Sequence, residues 1–279
     1  MSRLPLRRRV PDLLCTCAVW AAVALALFPL LQLGVLVVAH ALPALGLRLF
    51  VEDTQGTGGG LRNALVGSFF LVALANVLAV PVGVAAGVYV AEVGSGPFVR
   101  IVRLAADVLA GVPSIAVGYV GYVALVTWLG WGFSALAGGI ALALIMLPYV
   151  VRATDYAVSG VPAELRDASL ALGVSPALTV RHVVLRAARP GIATGVLLAT
   201  AVAVGETAPL LYTASWSNFL PTGALFHSPV GYLTYVVWTF AEQPFSAAHA
   251  LAYAAALLLM VVVLGLNVLA RAVLRGPGV

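Results

Sequence analysis

Six apolar runs organise the chain. They extend roughly from Leu13 to Val38, Asn63 to Ala91, Leu104 to Leu129, Ser134 to Val151, Gly191 to Tyr212 and His249 to Leu269. Each is about as long as the 18–20 helical residues that cross the hydrocarbon core of a bilayer. The pattern predicts an all-α membrane protein with six transmembrane helices. Pro29, Pro81, Pro113 and Pro148 fall inside or near the ends of these runs. Packed membrane helices tolerate such prolines, because neighbouring groups satisfy the freed carbonyls. Gly83 and Gly87, four residues apart, predict a point where another helix comes close. A further apolar stretch, Pro229 to Ala241, has only 13 residues. That length predicts an interfacial or re-entrant helix. Trp216, Tyr232, Tyr235 and Trp238 predict an aromatic layer at the outer interface.

Composition strengthens this picture. Of 279 residues, 62% are hydrophobic and 9% charged, and the mean hydropathy is +1.08. A soluble domain of this size carries about 25% charged residues, so lipid must cover much of this surface. All fifteen basic residues are arginine. A P-loop needs a lysine to reach nucleotide phosphates, so any ATP that drives this chain is hydrolysed on another polypeptide. The net charge of +5 does not indicate nucleic acid, because the arginines lie at the ends of apolar runs.

Their distribution sets an orientation. Arg3, Arg7, Arg8 and Arg9 precede the first run; Arg100 and Arg103 follow the second; Arg152, Arg166, Arg181, Arg186 and Arg189 follow the fourth; Arg271 and Arg275 end the chain. Only Arg48 and Arg62 fall on the other side. The positive-inside rule therefore predicts cytoplasmic termini in a multi-pass plasma-membrane protein. The first apolar run is about twice the length of a signal-peptide core and lacks a clear A-x-A site, which predicts a retained span. Cys15 and Cys17 are too few for a structural zinc site. His40, His182, His227 and His249 are scattered, and no H-E-x-x-H or G-x-S-x-G pattern occurs.

Two places carry candidate chemistry. The first is Arg152 to Pro190, which holds five of the basic and three of the ten acidic residues. Pro162 predicts a helix start, Glu164 and Asp167 suit its first turns, and Gly173 suits its end. Ser175 and Pro176 predict a second helix to about Ala188. Such a hairpin either lies on the inner membrane surface or docks a soluble partner. The second place is Glu206, an acid within the fifth apolar run. Burying an acid at mid-helix costs roughly 2.5–3.5 kcal/mol on insertion scales. About fifteen residues from Gly191, or roughly 22 Å at helical rise, it falls in the outer half of the bilayer. It either joins helices by hydrogen bonding or lines a pathway. A bare carboxylate repels an anion, so a pathway role requires a proton or a cationic partner.

Both places resemble a known family. The stretch from Glu164 to Ile192 is similar to the EAA loop of ABC importer permeases. The Glu-Ala-Ala of that loop corresponds to Asp167-Ala168-Ser169, its glycine to Gly173, and its later hydrophobic pair to Val183 and Leu185. Arg186 stands where the family has a proline. The run from Gly205 to Leu211, GETAPLL, resembles the signature of phosphate-transport permeases of the PstA type. Ala110 to Ile115, Tyr89 to Glu92 and Leu266 to Arg271 agree with it, and the resemblance extends over about Gly58 to Arg275.

The resemblance implies the type I, MetI-like, six-helix permease fold with a cytoplasmic coupling-helix loop at about 152–190. It implies an N-terminal tail, first helix and outer loop over 1–61 and a permease domain over 62–275. It also implies a second, related permease (PstC type), two ATP-binding subunits (PstB type) and an extracytoplasmic phosphate-binding protein (PstS type), in contact with membrane lipid. No cofactor and no metal are expected. Glu206, Thr207 and Ser114 are the implied substrate-path residues. Glu164, Arg166, Asp167, Ala168, Ser169 and Gly173 are the implied ATPase-coupling residues. Val202 departs from the pattern, which has an arginine four residues before the glutamate. That departure keeps open another oxyanion, such as phosphonate, molybdate or sulfate. A non-transporting scaffold is a further alternative, one that leaves the EAA-like loop unexplained.

Overall fold

The computed structural model describes residues 6–274, with side chains from Leu13 onward. Arg3, Arg275 and the side chains of Arg7, Arg8 and Arg9 thus lie outside the described residues. In chain order the helices begin with α1 (Leu6–Ala41) and α2 (Leu47–Val51). A short hairpin of β1 (Thr54–Gln55) and β2 (Gly58–Gly59) follows. Then come α3 (Arg62–Val93), α4 (Pro97–Gly111), α5 (Ser114–Gly121) and α6 (Ala135–Ser159). The second half holds α7 (Ala163–Ala171), α8 (Pro176–Thr179), α9 (Leu185–Gly205), α10 (Ala208–Thr213), α11 (Leu233–Tyr235) and α12 (Ser246–Leu274). Among the described residues, five helical segments are long and apolar enough to cross a membrane, and a bent pair makes a sixth.

The third apolar run is not one continuous helix, as its pattern predicts. It divides into α4 and α5, which meet at 101°. Pro113 explains the break: its ring disfavours helical backbone at the residue before it, and Val112 is extended at φ −73°, ψ 129°. A π-helical segment, Tyr122–Trp128, prolongs α5. The loop expected over 152–190 is also shorter. Helix α6 continues to Ser159. Helix α8 runs through a π turn at Val180–Val184 into α9, so Pro176–Gly205 is one span with Pro190 inside it. Arg186, which replaces the family's proline, leaves a backbone N–H at a position where that helix continues.

Helix α6 is the centre of the bundle, flanked by α3 and α9. Small residues bring the axes together, as packing without a hydrophobic driving force in lipid requires. A Cβ at Gly83 would lie 2.7 Å from Val150, and one at Gly87 would lie 2.5 Å from Thr154 and 2.6 Å from the Val151 carbonyl. Gly195 meets Ala153 in the same way on the α9 side. Leu71, Leu142, Met146, Ala199, Leu210 and Tyr232 are buried together in the main core. Helix α1 is largely exposed and touches the rest through α12, where His40 stacks on Tyr253.

The stretch 229–241 is a short helical segment packed into the bundle. Val230, Tyr232, Leu233, Val236 and Phe240 are buried, and the Ser68 hydroxyl accepts the Leu233 N–H at 2.8 Å. The four aromatics expected to form a layer differ in exposure. Tyr232 lies in the core, Trp216 stacks on Tyr235 at 4.5 Å, and only Trp238 of the four is well exposed. Tyr232, Tyr235 and Trp216 pack against the buried clusters of the bundle.

Candidate functional site

The first site is a meeting of two helix breaks. Helix α9 ends at Gly205, and Glu206 is extended at φ −71°, ψ 132°. The sequence places Glu206 inside a continuous helix; the structure places it between two. Pro209 accounts for this, since it cannot donate the N–H that would tie it to residue 205. Thr207 precedes α10 as its N-cap residue, and its carbonyl accepts from Leu210 and Leu211 at 3.2 Å. The carbonyl left open at Glu206 is satisfied from outside the helix: the Thr234 hydroxyl donates to it at 2.8 Å. The stretch 229–241 is thus tied by Thr234 to the break that carries the acid.

Opposite lies the break at Val112–Pro113. Gly118 of α5 lets Pro209 approach so closely that a Cβ would lie 2.7 Å from the Pro209 Cα. Gly121 lies against Thr213 in the same way, at 2.9 Å. This packing sets Ser114, at the N-terminus of α5, beside Glu206, and the Ser114 side chain interacts with the Glu206 carboxyl. Ser114, Glu206 and Thr207 are all part-buried and come together. The start of α5, at Ser114, and the start of α10, after Thr207, thus flank Glu206. Among the described residues no arginine pairs with Glu206. Val202 lies one turn earlier and is 36% exposed.

The second site is the hairpin formed by α7 and α8. Pro162 caps α7, and Gly173 turns the chain at φ +80°, a conformation that favours glycine. The Gly173 N–H donates to the Leu170 carbonyl at 2.9 Å, and Val174 N–H to the Ser169 carbonyl at 3.3 Å, the pattern of a glycine-closed helix end. The Ser169 and Thr179 hydroxyls meet at 2.9 Å and lock the two arms.

Apart from Gly173 at the turn, the candidate coupling residues divide by direction. Glu164, Asp167 and Ala168 face outward beside the exposed Leu172, which is 84% accessible. Arg166 and Ser169 face inward. Arg166 donates to Glu92 at 3.1 Å, to the Val158 carbonyl at 2.8 Å and to the Val161 carbonyl at 2.7 Å. One guanidinium therefore joins the hairpin to the ends of α3 and α6. Val158, Val161, Val184 and Ala188 form a small core beneath it.

Sequence reasoning missed three of these partners. Glu92 belongs to a recognised segment, but nothing in the spacing ties it to Arg166, 74 positions away. Thr234 gives no signal, since a threonine in an apolar run is ordinary. Asn76, an intramembrane amide, accepts from the Thr200 hydroxyl at 2.9 Å; its polarity within an apolar run was the available clue.

Comparison with known proteins agrees with this geometry. Residues 83–277 match the family model described as binding-protein-dependent transport system inner membrane component. The chain is 46% identical over 265 residues to the phosphate transport system permease protein PstA 2 of Mycobacterium bovis, covering 95% of this chain and 88% of the relative. The same figures hold for the protein of that name from Mycobacterium tuberculosis. It is 40% identical over 255 residues to PstA of Haemophilus influenzae, covering 90% and 89%. Among solved structures, an inward-facing form of the MetNI methionine ABC transporter superposes with a TM-score of 0.60 at 18% identity. That likeness covers 76% of this chain and 96% of the other, and shows a shared fold. This chain is a multi-pass inner-membrane protein that belongs to the binding-protein-dependent transport system inner membrane component family and groups within it with the PstA permeases.

Proposed function

We propose that this chain is the permease subunit through which an ABC importer moves inorganic phosphate inward. In this reading both termini and the α7–α8 hairpin are cytoplasmic, and residues 62–275 form the permease proper. Two ATP-binding subunits of the PstB type grip the outward face around Asp167 and Leu172. A related permease of the PstC type completes the pathway, and a PstS-type binding protein delivers the substrate. The chain performs no bond chemistry; hydrolysis occurs on the partner.

The observation that carries this reading is the paired break at Ser114 and Glu206, in a chain so similar to PstA relatives. Broken helices in transporters direct half-helix N-termini toward anionic groups. Such N–H groups suit an oxyanion. The carboxyl group adds selectivity. Near neutral pH phosphate still carries a P–OH, which donates a hydrogen bond to a carboxylate, whereas sulfate has no proton to donate and is repelled. A site built around such a donor rejects an analogue that lacks it. Motion of the hairpin would reach this site through Arg166, which holds α3 and α6 together.

Val202 favours a second reading, in which the same architecture carries a different oxyanion. Uptake by the reconstituted complex, with phosphate, sulfate, molybdate and phosphonate in competition, separates the two. Phosphate is expected to be the only effective competitor at low concentration, and Glu206→Gln is expected to narrow its advantage over sulfate. Equal competition by molybdate or sulfate in the unaltered complex would remove phosphate as the substrate.

A further inference from the structure

Arg48, Arg62, Arg103, Arg152 and Arg166 each face a carboxylate. Arg181, Arg186 and Arg189 do not: among the described residues none of the three has an acidic partner, and all are exposed. They converge instead on a cavity of about 630 Å³ between α3 and the α8–α9 helix, together with His182. Its remaining wall is apolar, including Val84 of α3 and Ile192 of α9. Three positive charges thus line one cavity, with no acidic partner among the described residues.

Depth in the membrane narrows the ligand. Arg189 immediately precedes the apolar course of α9, so the guanidiniums lie at the boundary between polar and apolar surface. This is the level of phospholipid phosphates. The cavity then continues along apolar side chains, toward which an acyl chain can extend. Guanidinium is suited to phosphate because it presents a planar fork of donors. Basic pockets between helices at such a boundary bind anionic headgroups. The face is also separate from the hairpin's outward surface. Val184 and Ala188 turn toward Val158 and Val161, while the arginines lie on the flank beside Val84.

We infer that the cleft between α3 and α9 at the arginine-bearing end holds the phosphate headgroup of an anionic phospholipid, clamped by Arg181, Arg186 and Arg189. The inference requires only that this end of the bundle meet a membrane surface. It is independent of what the transporter carries.

The test uses the assembled transporter in nanodiscs of phosphatidylcholine containing a minor fraction of phosphatidylglycerol. Native mass spectrometry after release reads the lipids that stay bound. The wild-type complex is expected to retain phosphatidylglycerol. Each arginine neutralised should weaken retention by about five-fold, at ~1 kcal/mol per basic residue near a charged surface. The triple variant R181Q/R186Q/R189Q should lose about a hundred-fold by the same arithmetic. The charge-preserving triple lysine variant should recover part of it, and Arg271→Gln should change nothing. If the triple glutamine variant does not assemble, the single variant Arg186→Gln gives the same reading on a smaller scale. Equal retention by the glutamine variants overturns the proposal. So does displacement of the lipid by millimolar inorganic phosphate, which would make this a free-anion site.

Discussion

A carboxyl group within a membrane protein is stable only where something replaces water around it. At Glu206 the Ser114 side chain lies beside the carboxyl group, while the Thr234 hydroxyl satisfies the backbone carbonyl that the helix break leaves open. The sequence makes the acid conspicuous but not the break that presents it, because Pro209 acts on residues before it. Arg166 is the second side chain on which the proposed mechanism depends. Hydrogen bonds to charged groups contribute about 1.5–3 kcal/mol each, and Arg166 makes three. Arg166→Gln should leave ATP hydrolysis by the complex in place while transport per ATP falls several-fold. Measuring both rates in the same vesicles checks it; unchanged stoichiometry would show that the guanidinium is dispensable. At the opposite end, Arg62 donates to Asp53 at 2.9 and 2.8 Å. That hydrogen bonding holds the Asp53 carboxyl below its ordinary value. A depressed folded-state pKa adds stability that is present above the unfolded value, near 4, and is lost as pH falls through the folded one. The loop should therefore loosen only in strong acid, read as amide exchange at Thr54 to Gly60, and Asp53→Asn should remove that acid-dependent step.

At the scale of elements, the apolar runs were legible because crossing a bilayer imposes a length. Their ends were not, because helix continues wherever backbone groups stay paired. Thus α6 reaches Ser159 and α9 begins upstream of Pro190, past the polar residues that suggested a loop. The 101° turn between α4 and α5 was signalled by Pro113 alone, and proline in a membrane helix often bends it far less. The glycines were more readable. Gly87→Ala should overpack the α3–α6 contact and cost about 1–3 kcal/mol, seen as a lower melting temperature of the purified complex. The Gly173 turn is more demanding. Proline there can neither adopt φ +80° nor donate to Leu170. Gly173→Pro should insert normally yet separate ATP hydrolysis from transport. Wild-type coupling in that variant would remove the hairpin from the mechanism.

For the whole molecule, the two sites lie at opposite ends of one rigid contact. The α3–α6 pair is joined to the hairpin by Arg166 and Glu92, and α6 leads to the Ser134 cap that accepts Ala137 and bonds to Thr213 of α10. The hairpin and the paired breaks can therefore respond to one movement without a flexible connector between them. The family resemblance was legible in two short segments, GETAPLL and the loop around Asp167. The contacts that hold them in place, Glu92 with Arg166 and Thr234 with Glu206, join positions far apart in the chain and only the fold brings them together. The most direct test of the account is ATP-driven phosphate uptake by the complete complex in proteoliposomes, with and without Glu206→Ala in this chain. The variant is expected to assemble and keep its ATPase while uptake falls at least ten-fold, roughly the loss of one interaction of ~1.4 kcal/mol or more. Unchanged uptake by the assembled variant would contradict it.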